Sequence, residues 1–471
     1  MNRDELIKKA EKFRWEIGEE FHDSLIESIY HEASIVADNA IIGSDKKNYS
    51  RFDLKLDKIL TSRLYGFPIM FVLLAVVFWL TLAGANYPSK LLSNFLVNFG
   101  HDNLKLLFNY FSVPNFLTGL IVDGAYLAAA WVVSVMLPPM AIFFPIFTLL
   151  EDFGYLPRVA FNLDSIYKHV GAHGKQALTM TMGFGCNAAG VVSARIIDSP
   201  RERLIAIITN NFSLCNGRWP TQIIIATIFI GSVVPSYLAG LASAAAVIII
   251  ALLGIAFSFA VSWVLSNSLL RGEGSAFSLE LPPYRPPKLW QTIYTSLIDR
   301  TLIVLWRAIV FAAPAGLIIW LVANVQINQI SIAQYFIEFA NPFGLLIGLN
   351  GVILLAYIIA IPANEIVLPT ILMLTTITIN VASGSSGNGV LIETDSVSAT
   401  AEILRAGGWT TLTGVSLMLF SLLHNPCSTT IYTIYKETGS LKWTIVATIL
   451  PILLGITVCF FVAQFWTIFT G

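Results

Sequence analysis

Three of the four cysteines sit beside or near an asparagine inside otherwise apolar sequence. Cys186 precedes Asn187 in MGFGCNAAG (182–190), Cys215 precedes Asn216 in FSLCNGRWP (212–220), and Asn425 stands two residues before Cys427 in HNPCS (424–428). A fourth stretch, IPANE (361–365), carries Asn364 and Glu365 instead. Thiolate sulfur with amide or backbone oxygen suits a borderline divalent metal such as Fe(II). A charge at bilayer depth costs roughly 2.5–3.5 kcal/mol, so Glu365 is expected to face a cavity, where it supplies the negative charge that a neutral pore lacks. The expected metal set is Cys186, Cys215, Cys427 and Glu365, with Asn187, Asn216, Asn364 and Asn425 on the same path. These residues lie far apart in the chain, so only the fold can gather them. Cys459, within VCFFVAQ, reads as apolar filler and should lie outside the set. Glu151 and Asp152 end an apolar stretch, where they either face the path or cap a helix at the interface. His424 at a break is a minor ligand candidate, whereas His169 and His173 fall in a polar loop and read as solvated.

Each of the four stretches also contains Gly or Pro, which interrupts the helical hydrogen-bond ladder. Broken backbone in hydrocarbon is tolerated only where it is buried in protein or lines a cavity, and the freed carbonyls can then coordinate an ion. The first half of the chain offers a hairpin break and then a break in the next span. The second half offers the same pair in the same order, a weak internal repeat of the kind that builds a midplane transport site. Four ordinary kinks are the bland alternative.

The elements that hold these breaks follow from composition. Of 471 residues, 56% are hydrophobic and only 12% charged, against about 25% charged in an ordinary soluble domain. Residues 1–63 hold 11 Lys/Arg and 13 Asp/Glu. The remainder is too poor in charge to cover a soluble surface, so the chain reads as a cytosolic helical N-terminal region with linker (1–55) followed by an all-α polytopic transporter domain (56–471). Phe13, Ile17, Phe21, Leu25 and Ile29 recur at helical spacing in 1–42, and GSDKKNYS (43–50) is a linker by composition. A first span is expected at 65–85, an interfacial stretch at 86–118, and a second span from 119 towards Leu150 bent or broken at Pro138-Pro139. The Lys/Arg distribution puts the N-terminus in the cytoplasm. It is satisfied by about seven crossings plus two re-entrant broken hairpins, 176–194 entering from the cytoplasm and 346–379 from outside. The side of the C-terminus depends on that parity.

Other classes find no support. A net charge of −1 gives no basic field for nucleic acid. There is no CxxC pair, hence no disulfide framework or zinc ribbon, and no early apolar run of a cleaved signal peptide. The nearest approach to a phosphate loop, GAHGKQ (171–176), lacks the spacer and the hydroxyl residue. With no strong catalytic signature either, the chain is not expected to be an enzyme.

Several segments resemble the membrane domain of the ferrous iron transport protein B family, in that family's order over about residues 55–470: DKILTSRLYGFPIMF (57–71), LEDFGYLPRVAF (150–161), GFGCNAAG (183–190), RERLIAII (201–208), FSLCNGRWP (212–220), LLRGEGSAFSLELPPYRPP (269–287), PANEIV (362–367) and NPCSTTIYTIYKETGSLKW (425–443). The resemblance implies two gate regions, here about 138–230 and 308–430. It puts the family's membrane cysteines at Cys186, Cys215 and Cys427, the acidic pair at Glu151 and Asp152, and the gate glutamate at Glu365. It implies Fe(II) as transported substrate with no permanently bound cofactor, in a multi-pass protein of the cell membrane. The family usually begins with a GTPase domain, for which residues 1–63 leave no room. A separate GTPase subunit or small cytosolic regulator is therefore expected as partner, along with the lipid bilayer and a homo-oligomer. The sequence departs from the family at Ala188-Ala189-Gly190, where Pro is usual soon after GCN, and at Asn216-Gly217-Arg218-Trp219, where Ser-Ala-Arg-Leu is usual. These changes keep open another divalent cation or a nucleoside-like solute as cargo. A membrane thiol oxidoreductase and a non-transporting scaffold are further alternatives.

Overall fold

The structure is a computed structural model and describes residues 51–270, 288–382 and 397–470, apart from positions 63, 173 and 329, together with Tyr284 and a few positions between 28 and 36. The expected helix over 1–42, the linker 43–50 and most of the 270–287 loop lie outside these residues. Among the described residues the chain is almost wholly helical. One short antiparallel ribbon pairs β1 (Gln326–Ile327) with β2 (Ile330–Ser331).

The first half comprises α1 (Arg51–Leu60), α2 (Gly66–Tyr110), α3 (Asn115–Asp152), α4 (Tyr155–His169), α5 (Gln176–Gly185), α6 (Asn187–Ser193), α7 (Pro200–Thr209), α8 (Trp219–Val233) and α9 (Tyr237–Asn267). The second comprises α10 (Leu289–Asn324), α11 (Ile332–Leu346), α12 (Gly351–Ile359), α13 (Val367–Ala382), α14 (Val397–Ala406), α15 (Thr411–Leu423), α16 (Ser428–Thr438) and α17 (Leu441–Phe469). Five of these, α2, α3, α9, α10 and α17, are long and apolar enough to cross a membrane. The count rises to seven if the bent pairs α11–α12 and α14 with α15–α16, each turned by 110°, are single spans. The chain is thus an all-α polytopic membrane protein. The stretches 204–230 and 408–434, each expected to be a span that carries a break, are assembled from shorter helices around it.

Two expected boundaries differ. α2 does not stop near residue 85 but continues through Pro88 and a π-helical stretch, Asn94–Gly100, to Tyr110. At about 1.5 Å per residue this helix far exceeds the ~30 Å hydrocarbon core. The prolines at 138, 139 and 145 do not break α3, which runs helically from Leu127 to Asp152. Proline removes one ladder bond and kinks a helix without ending it where packing holds the two sides together. Here that packing is the buried aromatic cluster of Phe143, Phe144 and Phe147.

The largest core joins both halves. Phe212, Leu214 and Ile225 of the first pack with Ile366, Leu372 and Leu423 of the second, all almost fully buried. A polar knot fixes the entry to the domain. Arg158, only 2% exposed, donates from Nε to Asp57 Oδ1 at 3.0 Å and from Nη1 to the Gly154 carbonyl at 2.6 Å. Its guanidinium lies 4.0 Å from the Tyr284 ring centre, and the Tyr284 hydroxyl donates to Asp57 at 2.8 Å. Burial, with the Asp57 carboxylate beside it, pushes that hydroxyl's pKa up to about 12. Residues from the LEDFGYLPRVAF and ELPPYR motifs thereby converge on one aspartate.

Candidate functional site

Both hairpins break where glycine or proline meets asparagine. Cys186 is extended (φ −153°, ψ 120°) between α5 and α6. Ala363 takes almost the same conformation (φ −152°, ψ 121°) before the short turn Asn364–Ile366. In the first hairpin, a β-carbon on Gly190 of α6 would press on the Thr179 carbonyl of α5 at 2.7 Å, so the chain has turned back on itself. At Gly185 a β-carbon would overlap the Phe143 ring, which explains glycine at that step.

Each hairpin break is tied to the second break of its own half. The Asn216 N–H donates to the Gly185 carbonyl at 3.1 Å, and the Ser428 N–H donates to the Ile361 carbonyl at 2.9 Å. In this way the irregular backbone is satisfied within the protein, as hydrocarbon requires. The halves meet at Asn364. Its Nδ2 donates to Cys215 Sγ at 3.6 Å, and its Oδ1 lies 3.1 Å from His424 Nε2. Asn187 is buried, its amide 3.3 Å from that of Asn211. The Glu365 carboxylate rests against Gly217, where a β-carbon would collide with it. Among the described residues Glu365 forms no ion pair.

Between the breaks lies a cavity of about 30 Å³, large enough for a water-sized guest. Cys186, Cys215, Cys427 and Glu365 all line it, with Asn187, Asn216 and Asn364. Four expected chemical side chains and three expected amides thus share one cavity. No group of three His, Cys, Asp or Glu side chains among the described residues is tight enough to hold a metal ion. All four cysteines are free thiols. Cys427 Sγ lies 3.2 Å from Thr430 Oγ1. Cys459 is fully buried elsewhere, its thiol donating to the Ser416 carbonyl at 3.4 Å.

The other expected residues stand apart from this cavity. Asn425 turns its amide to the Pro426 carbonyl at 3.1 Å. Glu151 faces Arg300 at 3.5 Å, and Asp152 accepts from the Thr292 hydroxyl at 2.6 Å. Both lie at the end of α3, where side chains of α10 pair with them.

Sequence reasoning noticed Arg218 only as part of a variant motif, yet it holds the site together. It is 1% exposed. Nη1 donates to the carbonyls of Asn211 (3.1 Å) and Leu422 (3.0 Å), and Nη2 to Asn211 Oδ1 (3.1 Å) and the carbonyls of His424 (3.4 Å) and Asn425 (3.1 Å). Helix α15 ends at Leu423, and its last carbonyls have no partner within the helix. Arg218, from the first half, satisfies one of them, that of Leu422, and the two carbonyls just beyond the helix, those of His424 and Asn425. The signal available was an arginine inside apolar sequence, whose insertion cost demands a buried role.

Beside the cavity lies a wider space of about 750 Å³; Ala188 and Val304 line both. Six helices, α3, α4, α5, α6, α10 and α16, line this funnel, and all but α4 also reach the small cavity. Along α3, Met136 and Met140 line the small cavity, then Phe144, Phe147 and finally Glu151 line the funnel. Along α16, Thr430 gives way to Thr433 and then to Lys436 and Glu437. Lys175, Arg195 and Arg300 complete the charged rim, and Arg307 lies further in.

Paired broken hairpins beside long crossing helices define a gate-type polytopic membrane domain. The family model described as "Gate: Nucleoside recognition" matches residues 133–230 and 305–441, and that for "Ferrous iron transport protein B C terminus" matches 247–299. Curated relatives include the Fe(2+) transporter FeoB of Staphylococcus aureus strain MSSA476, 29% identical over 447 residues that cover 93% of this chain and 62% of the relative. Those of Campylobacter jejuni (26% identical, 85% of this chain, 63% of the relative) and of Synechocystis (26%, 84%, 60%) are also similar. Over most of its length the chain is similar to the membrane domain of ferrous iron transport protein B. It spans about three-fifths of the length of these relatives. No solved structure matches the chain.

Proposed function

We propose that this chain moves Fe(II) through the small cavity between the four breaks. One observation carries the reading: three thiols and a carboxylate, drawn from four separate breaks, line a single ion-sized space. An entering Fe(II) draws in a subset of Cys186, Cys215, Cys427 and Glu365. Thiol ligands release their protons on binding, and amide oxygens, carbonyls or water complete the shell. Incomplete ligation suits transport, since a site must be weak enough to leave. The ion then passes along the funnel. The Lys/Arg rim and the N-terminus face the cytoplasm by the positive-inside rule. GTP hydrolysis or regulation is supplied by a separate GTPase or small cytosolic protein, and the domain works in a bilayer as a homo-oligomer.

A space of about 30 Å³ fits an ion and not a nucleoside, which favours Fe(II) over the nucleoside-like alternative. The test is anaerobic Fe(II) flux into liposomes containing the purified chain. Cys186→Ser, Cys215→Ser and Cys427→Ser should each lower flux at least tenfold, with Cys459→Ser unchanged. Equal flux in all four variants overturns the cysteine path.

A further inference from the structure

The funnel rim is built for an anion, although the path is proposed to carry a cation. Five cationic side chains, Lys175, Arg195, Arg300, Arg307 and Lys436, line one space with two carboxylates, Glu151 and Glu437. Arg195 is committed to Glu437 through two 2.7 Å bonds. Arg300 reaches Glu151 at 3.5 Å, and Lys175 pairs with Asp198 at 2.9 Å. Arg307 and Lys436 form no ion pair among the described residues; Arg307 meets only the Tyr432 ring, 5.7 Å away. The positive-inside rule accounts for basic residues on one side of a membrane. It does not account for their convergence from separate helices into one cavity, nor for Arg307, seven residues along α10 from Arg300 in the direction of the small cavity. The walls between rim and cavity are apolar, with Phe144, Phe147, Leu178 and Met182 among them. At about 750 Å³ the space has the size of an ordinary ligand pocket.

We propose that the funnel binds an amphipathic phosphate, an anionic phospholipid with its phosphate at Arg307 and Lys436 and its apolar body along the aromatic wall. This goes beyond the proposed cargo and does not depend on it.

Native mass spectrometry of the purified full chain tests the proposal. The chain is offered dioleoylphosphatidylglycerol, dioleoylphosphatidylcholine, glycerol 3-phosphate or inorganic phosphate. The expected result is retention of phosphatidylglycerol at least tenfold above phosphatidylcholine, with neither soluble phosphate retained. Two fewer basic contacts should weaken retention about tenfold or more, so the double variant Arg307→Gln/Lys436→Gln should lose it. Val192→Trp, which fills the funnel without changing charge, should lose it too. Equal retention of the two lipids overturns the proposal. So does unchanged retention in both variants, or a soluble phosphate held as firmly as the lipid. The lipid comparison on the unaltered chain decides the matter even where a variant misfolds. Iron flux does not enter the readout, so a negative result leaves the proposed cargo standing.

Discussion

Replacing Arg218 should loosen the junction between the two halves in a graded way. Its guanidinium serves five acceptors, three of them carbonyls of Leu422, His424 and Asn425 at the second-half break. Glutamine offers two donors and no charge, so Arg218→Gln leaves at least three of these contacts unmade. At about 1 kcal/mol each, the loss is about 3 kcal/mol, at the low end of the 3–5 kcal/mol typical when one partner leaves a buried charged network. Lysine keeps the charge and offers three donors, but as a compact point charge it cannot span both groups of acceptors. Arg218→Lys should therefore lose about 2 kcal/mol. Unfolding of the chain in detergent should rank the wild type above Arg218→Lys, and that above Arg218→Gln. The companion variant Asn211→Ala removes Oδ1, which accepts from Arg218 at 3.1 Å, and Nδ2, which donates to the His424 carbonyl at 2.7 Å. A double-mutant cycle of Arg218→Gln with Asn211→Ala should show a coupling above about 0.5 kcal/mol. Additive losses, or an Arg218→Gln chain as stable as the wild type, would refute the junction.

Three further outcomes follow from the same geometry. Glu365→Gln should cut Fe(II) flux at least tenfold with little change in unfolding, because its carboxylate has no ion pair to lose; a large loss of stability with normal flux would contradict it. Gly217→Ala should also slow flux while the chain still folds, since the new methyl meets the movable end of Glu365; unaltered flux would show that the carboxylate's position is immaterial. Arg195→Gln should change stability by no more than about 1 kcal/mol despite its bidentate pairing, because the arginine is 62% exposed and water screens the pair; a larger drop in unfolding temperature than Arg218→Gln gives would reverse that ranking.

The broken hairpins were legible because Gly, Pro and Asn act locally on the backbone. Cys186 and Pro362–Asn364 mark themselves by residue type, and both lie where the helices stop. The convergence of Cys186, Cys215, Cys427 and Glu365 was legible only as a consequence of four breaks needing a shared interior. What escaped was long-range. Nothing in HNPCS announces that its carbonyls are met by an arginine some 200 residues earlier, because a carbonyl has no sequence signature. Nor does Asn425 differ in type from Asn364, yet one faces the next carbonyl and the other the cavity. α2 outruns the expected span because 86–118 is mixed in composition and reads as interfacial, while a proline such as Pro88 is tolerated inside a helix at the cost of a kink.

The arginine and the glutamate must be considered together. A cation path with a buried guanidinium close by would repel its cargo if Arg218 held Glu365 in an ion pair and left the cavity with no free negative group. The structure arranges the charges otherwise. Arg218 is neutralised by dipoles: the carbonyl oxygens at the C-terminal end of α15 carry partial negative charge, and three of its five contacts go to that region. Glu365 is left against Gly217 and forms no ion pair among the described residues, so on the proposed path its carboxylate is open to an entering Fe(II). The fixed cation closes the junction through the carbonyls it meets, and on the proposed path the Glu365 carboxylate is left for the ion.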